Sequence, residues 1–512
     1  MGHALNMVAI DLGAESGRAI LGQFDGKKIL LSEEHRFPNE PVQLPDGLHW
    51  DVLRLFHEIK KGLRATARTA RGDLASVGVD TWGVDFGFLD ANGSLLGNPY
   101  HYRDPRTRGM MEYAFERVPA GEIFARTGIQ FMPLNSLYQL IATLRSGSGI
   151  SGRGWLGFAS TLLFMPDLFA YFLTGRRTTE WTIASTSQMC DPGKRTWARE
   201  LLERLGVPQH VLTDIIPPGT RIGPLLDSVA EEIGARPVAV AVAGHDTASA
   251  VVAVPAGGTP GDFIYISSGT WSLLGAEVGR PYLDDKTARF NFTNEGGVGG
   301  AIRLLKNITG LWLVQQCRRA WQRAGEELSY DELTRLAENA PPRVSFVDPD
   351  DEAFVNPPDM PEAIRAFCRH SGQPVPQDKG AVVRCALESL ALKYRWTLEG
   401  LEEILGRRIS TIHIVGGGSK NRLLNQLTAD VTGRVVKTGP VEATAIGNLL
   451  VQVMALGELG NLGEIREVVR NSFAVDTFEP SGTDAEGWED AYGEFKAFLE
   501  TSGSRVVKNE KQ

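Results

Sequence analysis

Short apolar runs that break into glycine and small polar residues, then resume, recur along the chain. Residues 8–18 read VAIDLGAESGR and residues 264–274 read IYISSGTWSLL. Each has the pattern of a strand–turn–strand unit, whose tight loop can aim backbone N–H groups at an anion. Two such units about 250 residues apart predict a duplicated fold that holds a polyphosphate. Around the first unit, MVAIDLG, GRAILGQF and KILLSEEHRF are expected strands, with Asp25-Gly26 turning the second into the third. Leu53, Phe56, Ile59, Lys60 and Leu63 follow near helical spacing. ASVGVDTWG then reads as a buried strand, and VDFGFLDANGSLLG as a hairpin turned at Asn92-Gly93.

Residues 105–235 are expected to be mostly helical, with a flexible loop at 146–154. PVAVAVAGHD is almost wholly apolar, the mark of a buried central strand, and small residues open a helix at Thr247. The second half repeats the opening. A long helix is expected at about 380–405, then ISTIHIVGGGSKNRLLNQLTADVTG as strand, glycine turn and helix. GRVVKTGP is an expected strand, EATAIGNLLVQVMALG a helix rich in small residues, and the residues from near Thr501 a frayed tail. The pattern predicts two related α/β domains hinged around a cleft, at 1–245 and 246–480, with a helix and flexible tail at 481–512.

A chain of 512 residues is too long for one core. Its net charge of −9 argues against nucleic acid or an anionic membrane as main partner, yet leaves room for an anionic small ligand. The four cysteines (Cys190, Cys317, Cys368, Cys385) form no Cys-x-x-Cys pair, so buried free thiols are expected, with a Cys368–Cys385 pair under oxidation as the alternative. LLFMPDLFAYFLTG is broken by Pro166 and Asp167, and PVAVAVAGHDTASAVVAVPAGG carries His245 and Asp246 at its centre. Neither reads as a membrane span. The opening MGHALN runs straight into a strand with no signal-peptide pattern, and a cytoplasmic location is expected.

Three glycine turns stand at strand ends: Gly13 to Gly17, Ser267 to Thr270, and Gly416 to Gly418. Glycine allows positive φ and close approach to a ligand, and the neighbouring Ser and Thr add hydroxyl donors for phosphate oxygens. The third turn is expected to enter its helix through Ser419, presenting free N–H groups. The chain has no P-loop, no G-x-G-x-x-G after a strand and no G-x-S-x-G elbow.

Asp11 and Asp246 close two apolar strands, where ligands of open α/β sheets bind. Asp246 suits a proton acceptor or a helix N-cap, and these roles are compatible. Asp11 suits Mg²⁺ held through water, or a cap on its own turn. Asp80, Trp82, Gly83 and Asp85 offer carboxylates and an aromatic face fit for a sugar, although Trp82 fits a core equally well. His245 reads as a hydroxyl partner or as a buried, satisfied ring. Asn307 and Gln315 fall roughly on one face of an expected helix, facing a hydroxyl-bearing ligand or solvent.

Together these residues resemble the FGGY carbohydrate kinases from about Met7 to about Phe478. The motifs that carry the resemblance include DLGAESGR, GVDTWGVDFGFLD, YRDPRT, GIQFMPLNSLYQL, GHDTASAV, YISSGTWSL, TNEGG, LKNITGLWL and HIVGGGSKNRLLNQLTAD. The resemblance implies two ribonuclease-H-like domains of the actin/hexokinase superfamily around an ATP-binding cleft. It implies Ala14, Glu15, Ser16, Gly17 and Arg18 as the first phosphate loop. Thr270 would belong to the second phosphate loop, Gln315 would lie near the nucleotide, and Gly417 would lie in the adenosine loop. Gly83, His245, Asp246, Thr247 and Asn307 match sugar-contacting positions, with Asp246 as catalytic base. The implied reaction moves the γ-phosphoryl of ATP to the 1-hydroxyl of L-rhamnulose, with L-fuculose, L-ribulose or D-xylulose as alternative ketoses. A monomer or weak homodimer is expected. Glu15 replaces the family's usual small Ser or Thr, and MPLNSLYQL lacks the Lys and Trp of the broader family's P-x-x-K-[apolar]-x-W signature. A regulatory ATPase of the same fold would leave DTWGVD and Asn307 without a task.

Overall fold

The computed structural model describes residues 4–146, 155–257 and 262–507. The expected loop at 146–154 falls, but for Ser146, outside the described residues, as do the last five of the expected tail. The closing helix, Ala485–Val507, runs past Thr501, where fraying was expected.

The chain forms two compact units, each discontinuous in sequence. The first comprises residues 1–260, 277–305 and 442–474, and the second 261–276, 306–441 and 475–512. The first is built on a six-stranded sheet in the order Thr220–Pro224, Val238–Ala241, Ser76–Thr81, Leu5–Leu12, Ser16–Phe24, Ile29–Pro38. The last three strands form an antiparallel meander, and Asp25-Gly26 makes the expected turn, with Gly26 at φ 96°. Leu5–Leu12 then pairs in parallel with Ser76–Thr81, which pairs in parallel with Val238–Ala241. The apolar run expected at the centre is therefore next to an edge: Thr220–Pro224 covers it on one side.

The second unit repeats this plan. Its strands include, in sheet order, Ile302–Thr309, Trp271–Val278, Ile264–Ser268, Thr411–Val415, Val435–Thr438 and Asp476–Phe478. Ile264–Ser268 is antiparallel to Trp271–Val278 and parallel to Thr411–Val415, which is parallel to Val435–Thr438. A meander followed by two parallel strands is thus found twice, as the paired strand–turn–strand patterns predict.

Helices cover the first sheet where the sequence supplies small residues for close approach. Val52–Thr69 buries Val52, Leu55, Ile59, Leu63 and Thr66, whereas Leu53 of the expected face is 65% exposed. The apolar stripe is offset from the one read by spacing because the helix packs on the strands Ser16–Phe24 and Ile29–Pro38 along its Val52, Leu55 and Ile59 face. The helix Ala443–Leu456 lies against the strands Leu5–Leu12 and Ser76–Thr81 and against the helix Asp246–Val252. A Cβ at Gly447 would stand 1.8 Å from the Ser249 carbonyl oxygen, so only glycine permits that helix contact. The hairpin expected at Asn92-Gly93 forms as a short one, with Gly93 at φ 88° and bonds from Asp90 N–H to the Ser94 carbonyl (2.9 Å) and from Leu96 N–H to the Phe88 carbonyl (2.8 Å), and Phe86–Leu89 pairs on its other side with Thr161–Phe164. All four cysteines are buried free thiols. Among the described residues, no helix is long and apolar enough to cross a membrane.

Candidate active site

In the first unit the carboxyl ends of the parallel strands collect the acidic residues. Strand register sets Asp11 beside Arg18 on one neighbour and beside Asp80 on the other. Past Asp80, the Thr81 N–H donates to the Gly244 carbonyl at 2.9 Å, which draws the segment Gly244-His245-Asp246 to the same edge. Asp246 is not the strand end that the sequence suggests: the strand stops at Ala241, His245 is the N-cap and Asp246 the first residue of the helix. Its Oδ1 accepts from the Thr247 N–H at 2.6 Å and the Thr247 hydroxyl at 3.2 Å, and lies 3.4 Å from His245 Nε2. Gly83 belongs to the same cluster, since a Cβ there would meet His245 Nε2 at 3.3 Å and Thr186 at 3.5 Å. Gly83, His245, Asp246 and Thr247 are thus brought together.

Burial raises the proton affinity of this acidic group. Desolvation is the largest influence on Asp11, Asp80 and Asp246, and all three stand above the ordinary carboxylate value. The charge of Asp11 adds to the rise at both Asp80 and Asp246, while Arg18 opposes it at Asp11 and His245 opposes it at Asp246. Asp80 is fully buried and accepts from Asn448 at 2.6 Å. Asp85 and Trp82, expected to face a sugar, are internal. Asp85 accepts from Trp50 (2.6 Å), Trp82 (3.0 Å), the Tyr102 N–H (3.1 Å) and Gln139 (2.8 Å). Desolvation still pushes Asp85 up to about 6.

The first loop is closed by Gly13 N–H donating to the Ser16 carbonyl at 2.9 Å. Asn39 clamps it from outside: its amide donates to the Gly13 carbonyl at 2.8 Å and its backbone N–H to the Glu15 carbonyl at 3.0 Å. Gly13 and Gly17 are not among the positive-φ glycines, so the conformational reason expected for them does not hold here. Gly17 is required by packing, because a Cβ would sit 2.3 Å from the Phe37 ring. Ala14, Glu15 and Ser16 are partly exposed. Arg18 donates to both Asp11 and Glu442, a partner that spacing gave no means to find.

Beneath His245 and Asp246 lies a second buried set. Glu180 accepts from the Gly244 N–H at 3.0 Å, the Thr182 N–H at 2.8 Å, the Ile183 N–H at 3.2 Å and the Thr182 hydroxyl at 2.6 Å. The His245 N–H donates in turn to Thr182 Oγ1 at 3.2 Å. Glu295 and Arg303 flank the His245 ring and form a buried ion pair at 2.9 Å. Glu295 stands in the motif TNEGG, but nothing in a single sequence ties it to GHD; Arg303 carried no signal beyond being a charge in an apolar strand.

In the second unit, Ser267–Thr270 and Gly416–Gly418 are packed together. A Cβ at Gly418 would stand 2.0 Å from Ser268 Oγ, and Gly416, at φ 84°, would bring one 3.0 Å from the Ser268 carbonyl oxygen. Thr270 is pinned by its carbonyl, which accepts from Gly310 at 3.1 Å and Trp312 at 3.2 Å. Gly417 opens onto free space, with nothing within 4 Å of where a Cβ would stand. The third turn does not enter its helix through Ser419. A 3₁₀ turn spans Gly417–Lys420, and Asn421 caps Arg422–Thr432 by accepting from the Leu424 N–H. Asn307 and Gln315 do not share a helix: Asn307 lies on the strand Ile302–Thr309, and Gln315 on the helix Trp312–Arg323. Gly310 makes the break, closing so tightly on Trp271 and Ser272 that a Cβ would meet them within 2.8 Å. Gln315 Oε1 is buried without a hydrogen-bond partner.

The acidic set has the hard oxygen donors that suit Mg²⁺, an ion that keeps several of its waters. Among the described residues, no three acidic, His or Cys side chains converge closely enough to bind a metal directly. Asp11, at 3% exposure and paired with Arg18, fits a water-mediated hold rather than a direct cage.

Residues 6–253 match the N-terminal domain of the FGGY family of carbohydrate kinases, and residues 264–456 match its C-terminal domain. A rhamnulokinase of Bacteroides thetaiotaomicron is 46% identical over 96% of this chain and 99% of its own length. A rhamnulokinase of Oceanobacillus iheyensis is 40% identical over 92% of this chain and 97% of its own. Among solved structures, gluconate kinase from Lactobacillus acidophilus superposes with a TM-score of 0.80 at 16% identity, covering 97% of this chain and 98% of that one. Ligand-bound xylulose kinase from the same organism gives 0.79 at 16%, with the same coverage. At such identities these likenesses speak for the fold.

Proposed function

The chain belongs to the FGGY family of carbohydrate kinases, and from that premise we propose that it transfers the γ-phosphoryl of ATP to the 1-hydroxyl of L-rhamnulose, giving L-rhamnulose 1-phosphate and ADP. The choice of sugar rests on relatives named rhamnulokinase, 40–46% identical over more than nine-tenths of the chain. The chemistry rests on Asp246. Its carboxylate begins a helix, has one oxygen occupied by protein donors, and has its proton affinity raised by burial.

In this reading Asp246 Oδ2 takes the proton of the sugar's 1-hydroxyl as that oxygen attacks the γ-phosphorus. The bond from phosphorus to the bridging oxygen breaks, and ADP leaves with the electron pair. Gly83, His245, Thr247 and Asn307 contact the sugar. Ala14 to Arg18 and Thr270 receive phosphate oxygens, Gln315 offers its unpartnered oxygen to the nucleotide, and Gly417 allows the adenosine close approach. Mg²⁺, held by Asp11 through water, would neutralise β- and γ-phosphate charge. The protein acts as a monomer or weak homodimer in the cytoplasm, where ATP is available, and sedimentation at micromolar concentration tests the first of these statements.

The deciding experiment is ADP release with Mg-ATP against a panel of ketoses. L-Rhamnulose is expected to give the highest kcat/KM. Equal or better turnover of L-fuculose, L-ribulose or D-xylulose would overturn the choice of sugar and leave the kinase standing.

A further inference from the structure

The ring of His245 is held from behind by two residues to which no role has been given. Arg303 is wholly buried, and its guanidinium makes three contacts: Nε donates to the Gly296 carbonyl at 2.8 Å, Nη2 donates to Glu295 Oε2 at 2.9 Å, and Nη2 lies 3.1 Å from His245 Nδ1. Glu295 Oε2 also lies 3.3 Å from the same ring nitrogen. On the other side of the ring, Nε2 lies 3.4 Å from Asp246 Oδ1. Arg303, Glu295, His245 and Asp246 therefore form one continuous row that ends on the carboxylate assigned to the sugar hydroxyl.

Direction along this row follows from what each group can do. A guanidinium has only N–H donors and cannot accept. At 3.1 Å from Nη2, Nδ1 makes a hydrogen bond only if it carries a lone pair. A neutral imidazole then has its proton on Nε2, pointed at Asp246 Oδ1.

We propose that Arg303, itself held by Glu295, is a positioning residue that fixes His245 as the Nε2–H tautomer, so that the ring donates to Asp246 Oδ1 and leaves Oδ2 to take the hydroxyl proton. The proposal rests on the reading of Asp246 as base. With the His245 donor and both Thr247 donors gathered on Oδ1, the carboxylate is fixed in rotation and the two oxygens are no longer equivalent. The opposite tautomer would send its proton to Glu295 and turn a bare nitrogen toward Asp246, two acceptors facing each other. Glu295 stands below the ordinary carboxylate range despite desolvation, with the charge of Arg303 the largest influence that lowers it, so it remains an anion that anchors the guanidinium.

The test is long-range ¹H–¹⁵N correlation on histidine-labelled protein near pH 7.5, with the His245 signals among nine histidines identified by their loss in His245→Gln. An acceptor-type Nδ1 and a protonated Nε2 are expected in the unaltered protein. A protonated Nδ1 overturns the proposal, whatever the sugar proves to be and even if the Arg303 variants do not fold. In Arg303→Met the Nδ1–H form is expected to appear, with kcat at least tenfold lower and KM for ATP within twofold. Arg303→Met/Glu295→Gln, which leaves no stranded charge, is expected to show the same kcat loss. An unchanged tautomer and kcat in either folded variant would also overturn the proposal.

Discussion

Asn448, on the helix Ala443–Leu456, donates its side-chain amide to Asp80 on the strand Ser76–Thr81 at 2.6 Å, joining residues 368 apart in sequence. Gln452, one turn on, donates to Asn448 Oδ1 at 2.7 Å and to the Val8 carbonyl at 3.0 Å, and accepts from Ser76 at 2.7 Å. A polar seam thus fastens this helix to two neighbouring strands that carry the acidic residues. Asn448→Ala strands the buried Asp80 carboxyl and is expected to destabilise the protein by about 1–3 kcal/mol. Gly447→Ala, facing the Ser249 carbonyl at 1.8 Å, is expected to do at least as much. Urea unfolding measures both; losses below about 0.5 kcal/mol, the range of ordinary surface changes, would mean the seam is not structural.

Asp246→Asn keeps the shape of the side chain and removes its basicity. A fall in kcat of about 10²–10⁴-fold is expected, with ATP affinity unchanged. Isothermal titration with ATP beside steady-state rates separates the two quantities. Near-normal turnover would remove Asp246 from its role.

Arg18 is occupied by Asp11 and Glu442. If this guanidinium serves a phosphate, Glu442 competes with ATP for it. Glu442→Gln is expected to lower KM for ATP about two- to fivefold, the worth of a partly exposed ion pair of roughly 0.5–1 kcal/mol. Arg18→Met is expected to raise it. A rise in KM with Glu442→Gln would show that the pair supports the loop instead of competing for it.

The second unit offers an independent probe of the nucleotide loops. Gly418→Ala forces a methyl against Ser268 and must separate Ser267–Thr270 from Gly416–Gly418. KM for ATP is expected to rise about tenfold or more, while KM for the ketose stays within twofold. Equal changes in both constants would argue for general unfolding instead.

Glu180 links protonation to stability. Burial pushes its carboxyl from 4.5 up to about 7, even though four donors oppose the rise. As pH climbs from about 4.5, the unfolded chain loses this proton before the folded one does. The unfolded state then binds fewer protons, so the Glu180 contribution to stability falls between pH 4.5 and 7 and is level above that window, by roughly 3 kcal/mol in all. Glu180→Gln has no proton to lose. The stability of the unaltered protein minus that of the variant is expected to fall by this amount from about pH 4.5 to about pH 8, measured by urea unfolding. A constant difference would contradict the buried acid.

Period and punctuation made much of the fold legible. The two strand–turn–strand units, the Asp25-Gly26 hairpin and the long helix, found at Lys379–Leu405, all stand where apolar spacing and glycine put them. Errors arose where long-range packing decides. Leu53 and Phe56 read as a core face until the strands Ser16–Phe24 and Ile29–Pro38 take the neighbouring face of the helix, and Asn307 reads as helical until Gly310 closes against Trp271. At the site, Gly83, His245, Asp246 and Thr247 could be singled out because they lie in short motifs with their neighbours. Glu180, Arg303 and Glu442 could not, because the contacts that bring them to the site, with Gly244, His245 and Arg18, each span at least 58 residues and a lone buried charge has no periodicity.

The division of the chain has a consequence for its synthesis. The path changes unit five times, and the helix Ala443–Leu456, which covers the first sheet, is made long after the strand Leu5–Leu12. At about 5–20 residues per second, the strands made first wait on the order of 20–90 s for that cover. Until then the nascent protein displays an unsealed face, with the Val8 carbonyl, Ser76 and Asp80 still wet. Vectorial synthesis thus exposes this protein to a window in which holdase chaperones have a defined surface to guard. A truncated product ending before residue 442 would keep that face open permanently.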